Sequence, residues 1–128
     1  MKIYFVRHGE TDMNARNMFY GWYDADINEK GIAQAEELRA AFETIHIDAI
    51  YSSDLKRAYH TAEIIANGRE IPPVTDIREL YYGDWENRPW EEMTESDFAA
   101  WRGWLSDWEE MRMSYGETFK TFYDRLQQ

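Results

Sequence analysis

The chain contains no cysteine, which excludes disulfides, thiolate metal sites and redox chemistry through thiols. It also lacks a long apolar run. The N-terminal stretch Ile3-Tyr4-Phe5-Val6 is only four residues long and follows a single lysine. That is too short for the apolar region of a signal peptide and far too short to span a bilayer. Nothing in the sequence targets the chain elsewhere, so cytoplasm is the expected location. Basic residues are scarce too, with 14 Lys and Arg against 25 Asp and Glu and a net charge of -11. Nucleic acid and anionic membrane surfaces need a basic face to neutralise phosphate, so both are excluded as partners. A single small phosphomonoester is not excluded, because a few arginines grouped locally can oppose the global field.

A length of 128 residues suits one domain with a real core. With 44% hydrophobic and 16% aromatic residues the chain is globular despite being 30% charged. Residues 2–6 read as a short strand, apolar on both faces, as a central parallel strand should be. Residues 12–28 follow neither period and suggest a long functional connection. Ile32, Ala35, Leu38 and Phe42 recur at helical spacing after Asn28 as N-cap, which predicts a helix over Glu29–Phe42. A second strand is expected at residues 47–51. Ser52-Ser53-Asp54 would then cap a helix running to Ala66, with Leu55, Ala58, Ala62 and Ile65 on its inner face and Asn67-Gly68 as its stop. Residues 74–80 could form a third strand. Thr94 and Asp97 resemble a capping box, followed by the stripe Phe98, Trp101, Leu105, Trp108 and Met111, read chiefly as core. One more helix is expected within residues 117–128. The alternation predicts an α/β fold in which helices cover both faces of a parallel sheet.

Arg7-His8-Gly9-Glu10-Thr11 stands where the first strand empties into a loop, the usual ligand site of open parallel sheets. A histidine there is weak evidence by itself. Beside it, however, the guanidinium of Arg7 suits an anion whose oxygens take the fork while a neutral imidazole attacks its centre.

These residues, with Asn14, resemble the signature of the histidine phosphatase superfamily, also called phosphoglycerate mutase-like. Further blocks match in order: Phe19-Tyr20-Gly21-Trp22; Asn28-Glu29-Lys30-Gly31 with Gln34-Ala35; Ser52-Ser53-Asp54-Leu55-Lys56-Arg57-Ala58 with Thr61-Ala62; and Glu79-Leu80-Tyr81-Tyr82-Gly83-Asp84-Trp85-Glu86. Within the superfamily, the segment 79–86, the tryptophans at 101 and 108, and Gly116-Glu117-Thr118-Phe119 are most similar to α-ribazole phosphatases of cobalamin assembly. The resemblance implies a three-layer α/β/α fold with a mostly parallel sheet, lacking its C-terminal part. It implies one partial domain over residues 1–128, with a helical lid at about residues 84–115.

The resemblance further implies that His8 is the nucleophile of a phosphohistidine mechanism, its tautomer held by a hydrogen bond from the other ring nitrogen to a backbone carbonyl. Arg7 and Arg57 would clamp the phosphoryl oxygens in place of a metal, with no cofactor. Glu79 would be the general acid, keeping its proton through partial burial or nearby acidic charge. Thr11 and Asn14 would donate to the phosphate, and Gly21 joins them as a substrate-binding position, although it and Glu10 also read as structural. His46 and His60 fall outside the catalytic blocks and read as surface or helix-packing residues. A nucleoside-like substrate would suit the aromatic lid, whose eleven Asp and Glu against three Arg over residues 79–117 read as a solvated face.

Members of the family carry a second catalytic histidine in a later Ser-His-Gly-like block, which these 128 residues do not contain. The chain therefore reads as a fragment or truncated product, whose unpaired strand edge would favour a homo-oligomer. Two alternatives stand beside the α-ribazole phosphatase reading. One is a phosphoglycerate mutase or broad-specificity phosphatase of the same superfamily; the other is a non-catalytic module in which Arg7 and Arg57 still hold an anion.

Overall fold

The computed structural model describes residues 1–107, 109, 110, 112 and 115–128, with side chains at all of these except Trp104 and Leu105. In chain order its elements are α1 (Asp12–Ala15), β1 (Met18–Phe19), α2 (Glu29–Phe42), β2 (Ser52–Ser53), α3 (Lys56–Ala66), β3 (Pro73–Val74), β4 (Arg88–Pro89), α4 (Glu95–Ser106) and α5 (Phe119–Leu126). Single 3-10 turns occupy Thr75–Ile77, Gly83–Trp85 and Trp90–Glu92. The elements fall into two compact units, one of Met1–Asp12 and Asp24–Thr75, the other of Met13–Tyr23 and Asp76–Gln128.

In the first unit α2 has the expected bounds. Asn28 is extended at the N-cap, and its side chain accepts from the Gly31 amide at 3.0 Å, satisfying one of the donors a helix start leaves over. Gly31 and Ala35 are buried, while Ile32, Leu38 and Phe42 are half-buried. Helix α3 stops as expected at Asn67, which takes the left-handed conformation (φ 49°) and is followed by Gly68 at φ 87°.

The start of α3 and its inner face differ from expectation. Leu55 occupies the N-cap without a side-chain cap, and the Lys56 amide is satisfied from afar by Asp24 Oδ1 at 2.7 Å. Ser53 Oγ accepts instead from the Leu55 amide at 3.3 Å. Leu55 is buried as expected, but Ala58, Ala62 and Ile65 are only half-buried, whereas Arg57, Thr61 and Ala66 are buried. The buried Thr61 hydroxyl is satisfied by donating to the Arg57 carbonyl one turn earlier, at 2.7 Å.

The strands are shorter and displaced. Pairing begins after residues 47–51, at β2, which runs parallel to β3 with Ser52 opposite Pro73 and Ser53 opposite Val74. The third strand thus shrinks to β3, where Pro73, having no N–H to give, stands at the first position, and a 3-10 turn follows at once. No ladder reaches residues 2–6 among the described residues. A parallel strand exists only through its neighbours' hydrogen bonds, and without them Ile3 is 61% and Phe5 94% exposed. Tyr4 meets Phe42 of α2 edge-on at 5.4 Å.

In the second unit the aperiodic residues 12–28 yield β1, which pairs antiparallel with β4, Met18 opposite Pro89 and Phe19 opposite Arg88. Phe19, Trp85 and Met93 form a buried cluster against which Tyr82 and Phe98 pack. Trp90 stacks on Phe19 with ring centroids 3.9 Å apart and meets Trp101 edge-on at 6.1 Å. The capping box of α4 is present: the Asp97 amide donates to Thr94 Oγ1 at 3.2 Å and the Thr94 amide to Asp97 Oδ2 at 2.8 Å. Its stripe is core only in part, since Phe98 packs inward while Trp101 is exposed. Trp108, Met111 and the Leu105 side chain lie outside the described residues. The last expected helix is α5, capped by Thr118.

Asn28→Ala should lower the stability of the chain by about 0.5–2 kcal/mol, read from urea denaturation. Asn28→Ser, which can still cap without adding a charge beside Glu10 and Asp12, should retain part of it, and an unchanged midpoint in the alanine variant would contradict the cap.

Candidate active site

The loop at residues 7–11 is placed by backbone contacts that leave no room for side chains. A Cβ on Gly9 would lie 2.4 Å from the Gly31 carbonyl oxygen, and one on Gly31 would lie 2.3 Å from the Glu10 carbonyl oxygen. Only two glycines let the loop and the first turn of α2 approach so closely. The Asn28 amide donates to the Glu10 carbonyl at 2.8 Å, the Glu10 amide to Gln34 Oε1 at 2.9 Å, and Thr11 bridges to Ile27. The Glu10 carboxylate meets the Lys30 ammonium at 2.7 Å and the Asn28 side-chain amide at 3.3 Å. These two donors, Lys30 foremost, hold its carboxyl below the usual range. The Glu10 carboxylate is thus engaged by the start of α2.

The same loop is tied to α3. The Gly9 amide donates to Thr61 Oγ1 at 3.0 Å, and that hydroxyl donates in turn to the Arg57 carbonyl. One hydroxyl thus joins the residue after His8 to the helical turn that carries Arg57. His8 is half-buried, and its Nδ1 lies 2.7 Å from the Gly9 carbonyl oxygen. A carbonyl can only accept, so Nδ1 carries the hydrogen and the neutral ring has its lone pair on Nε2. Arg57 is 3% exposed, so its charge acts where water screens little. Arg7 is exposed and Thr11 fully buried.

The remaining sequence candidates lie in the second unit. Asn14 Oδ1 accepts from the Tyr20 hydroxyl at 2.8 Å. Gly21 is engaged by the chain itself: its amide donates to both oxygens of Glu86, and an added Cβ would stand 1.8 Å from the Leu80 carbonyl oxygen. Glu86 also accepts from the amides of Trp22, Tyr23 and Tyr82. Glu79 is exposed rather than partly buried, with Oε1 accepting from the Leu80 amide at 3.2 Å. Its carbonyl accepts from the Trp22 indole at 2.8 Å and from Arg125 at 2.9 Å. His46 and His60 pair at the surface with Asp48 and Asp26, at 3.2 and 2.9 Å. No cluster of metal-ligating side chains occurs among the described residues, and no helix there is long and apolar enough to cross a membrane.

The model of the histidine phosphatase superfamily, branch 1, matches residues 3–128. The chain belongs to the histidine phosphatase superfamily. It is 34% identical to the adenosylcobalamin/alpha-ribazole phosphatase of Salmonella typhimurium over 99% of its own length and 64% of that relative's. It superposes on the alpha-ribazole phosphatase of Shigella flexneri with a TM-score of 0.82 at 28% identity, covering 95% of this chain and 61% of the other. For a phosphoglycerate mutase of Thermus thermophilus the TM-score is 0.74 at 30% identity, with 94% and 65% covered. The chain therefore spans somewhat under two thirds of these relatives and has the α/β fold of phosphoglycerate mutase-like enzymes.

Within this histidine phosphatase chain the sequence had marked Thr61, Glu86 and Glu117 only as members of matching blocks, and Arg125 not at all. The four-residue spacing from Arg57 to Thr61 on one buried helix face was the legible signal for the first. For Arg125 none was available, since its partners lie between eight and 49 positions away. Thr61→Val keeps the volume but leaves the buried Gly9 amide without its acceptor. We expect a loss of about 1–3 kcal/mol in chemical denaturation; Thr61→Ser should recover part of it, and a neutral valine variant would contradict the relay.

Proposed function

We propose that the protein is a phosphomonoesterase working through a phosphohistidine on His8, with α-ribazole 5′-phosphate as substrate. The observation that supports this best is the Nδ1–H bond from His8 to the Gly9 carbonyl, which leaves the lone pair of a nucleophile on Nε2. In the proposed reaction Nε2 attacks phosphorus and the ester P–O bond breaks. The departing oxygen keeps that electron pair and takes a proton from the Glu79 carboxylic acid. Water then attacks the phosphohistidine and gives its proton to the Glu79 carboxylate. Inorganic phosphate leaves, and Nε2 regains its lone pair.

Arg57 and Arg7 balance the charge on the transferring oxygens, with Arg57 the stronger contributor because it is buried. Thr11 and Asn14 are proposed as additional donors to the phosphate. The role of Glu79 is carried by its motif alone. The substrate rests on the names of the Salmonella and Shigella relatives, and the Thermus relative makes phosphoglycerate the competing candidate.

Brief incubation with a ³²P-labelled phosphomonoester should leave acid-labile, alkali-stable label on His8, absent in His8→Ala. Label persisting in that variant would overturn the mechanism. Arg57→Ala should slow labelling by about a hundredfold. Turnover of α-ribazole 5′-phosphate should exceed that of phosphoglycerates, and equal rates would contradict the substrate assignment.

A further inference from the structure

Residues 79–82 belong to no helix or strand, yet side chains hold their backbone on both sides of the acid. The Glu79 carbonyl accepts from the Trp22 indole and from Arg125 Nη2, the Tyr81 amide donates to Glu117 Oε2 at 2.9 Å, and the Tyr82 amide donates to Glu86 Oε1 at 3.1 Å. Backbone groups outside regular structure still need partners, but two features make this arrangement more than routine satisfaction.

First, Arg125 and Glu117 form a fork-to-fork pair, Nε to Oε1 at 2.9 Å and Nη2 to Oε2 at 3.1 Å, with both side chains only 13% exposed. Paired planar groups of this kind fix orientation as well as charge. Second, the guanidinium still has two N–H groups for the acid-bearing segment: Nη1 donates to the Asp76 carbonyl at 2.6 Å while Nη2 reaches Glu79. Its central carbon lies over the Phe122 ring, 4.8 Å from the ring centroid. The backbone is thus gripped at residues 76, 79 and 81 by one ion pair spanning the loop before α5 and its last turn.

We propose that the Arg125–Glu117 pair is the positioning device for Glu79, fixing the backbone from which the proton donor projects. This rests on the reading of Glu79 as general acid. The guanidinium is engaged by Glu117 and by the carbonyls of Asp76 and Glu79, so on this reading its removal acts on the chemistry through Glu79. The effect must then depend on whether the leaving group needs a proton. The anion released from 4-nitrophenyl phosphate does not need one; the alkoxide released from a simple alkyl phosphate does.

The test compares the unaltered protein with Arg125→Gln, Arg125→Lys and Glu79→Gln on both esters. With the alkyl phosphate, Arg125→Gln should slow phosphorylation of His8, followed by rapid-quench labelling in the first turnover, by about tenfold or more. First-turnover phosphorylation by 4-nitrophenyl phosphate should be slowed far less, the same contrast between esters as in Glu79→Gln, while Arg125→Lys, which keeps charge without the fork, falls between. The later hydrolysis, in which Glu79 takes the proton of water, slows alike for both. Equal losses in the phosphorylation step from both esters would overturn the positioning role while leaving the phosphatase reading intact. If the unaltered protein hydrolyses neither ester, the phosphatase reading fails and this inference fails with it. Independently of turnover, hydrogen exchange at the Tyr81 amide should quicken about tenfold or more in Arg125→Gln while amides within α4 stay unchanged; unchanged exchange at Tyr81 would overturn the grip itself.

Discussion

The amide of Gly9 is satisfied by the Thr61 hydroxyl, and the seating of the loop at residues 7–11 on α3 depends on that bond. Apart from the bridge between Thr11 and Ile27, the loop at residues 7–11 has no ladder partner among the described residues, so the rest of its contacts come from the helices on which it lies. The glycine-to-glycine approach onto α2 sets its depth, and the Gly9–Thr61–Arg57 relay ties it to α3. His8 inherits its setting from these contacts, because the carbonyl that accepts from its Nδ1 belongs to the same Gly9 whose amide is anchored. A hydroxyl that donates and accepts at once serves here better than a second charge, which would need its own counterion in the interior.

The second unit solves a similar problem with carboxylates. Glu86 gathers amides from residues 21–23 and from Tyr82, while Glu117, oriented by Arg125, takes the Tyr81 amide. Each carboxylate does for an irregular loop what a neighbouring strand would do in a sheet. Part of the acidity that reads in the sequence as a solvated face is therefore structural. Glu86 and Glu117 are bound by the backbone, while Glu91, Glu92, Glu95 and Asp107 are exposed in keeping with that reading.

Local chemistry was legible in the sequence wherever a few adjacent residues decide the outcome. Asn28 and the Thr94–Asp97 box start helices through their own side chains, and Asn67 stops one by accepting a left-handed backbone, so each boundary could be read directly. The motif at residues 7–11 and the superfamily followed from short ordered blocks. Strands were poorly legible because pairing is non-local: the apolar pattern of residues 2–6 says the run can be buried, not which ladder reaches it. The inner face of α3 was read only in part for a related reason. Leucine, alanines and isoleucine pointed to an apolar stripe, and Leu55 and Ala66 are indeed buried, but Arg57 and Thr61 share the buried positions, the Thr61 hydroxyl accepting from the distant Gly9 amide and donating to the Arg57 carbonyl. The Arg125–Glu117 grip has no local signature, being defined by backbone groups far along the chain.

Everything proposed for the chemistry turns on the Gly9 carbonyl selecting the tautomer of His8 that makes Nε2 the nucleophile. Long-range ¹H–¹⁵N correlation of the imidazole rings, at a pH where His8 is neutral, tests this most directly. A protonated, pyrrole-like Nδ1 and a pyridine-like Nε2 are expected for His8. A pyridine-like Nδ1 with the proton on Nε2 would contradict it.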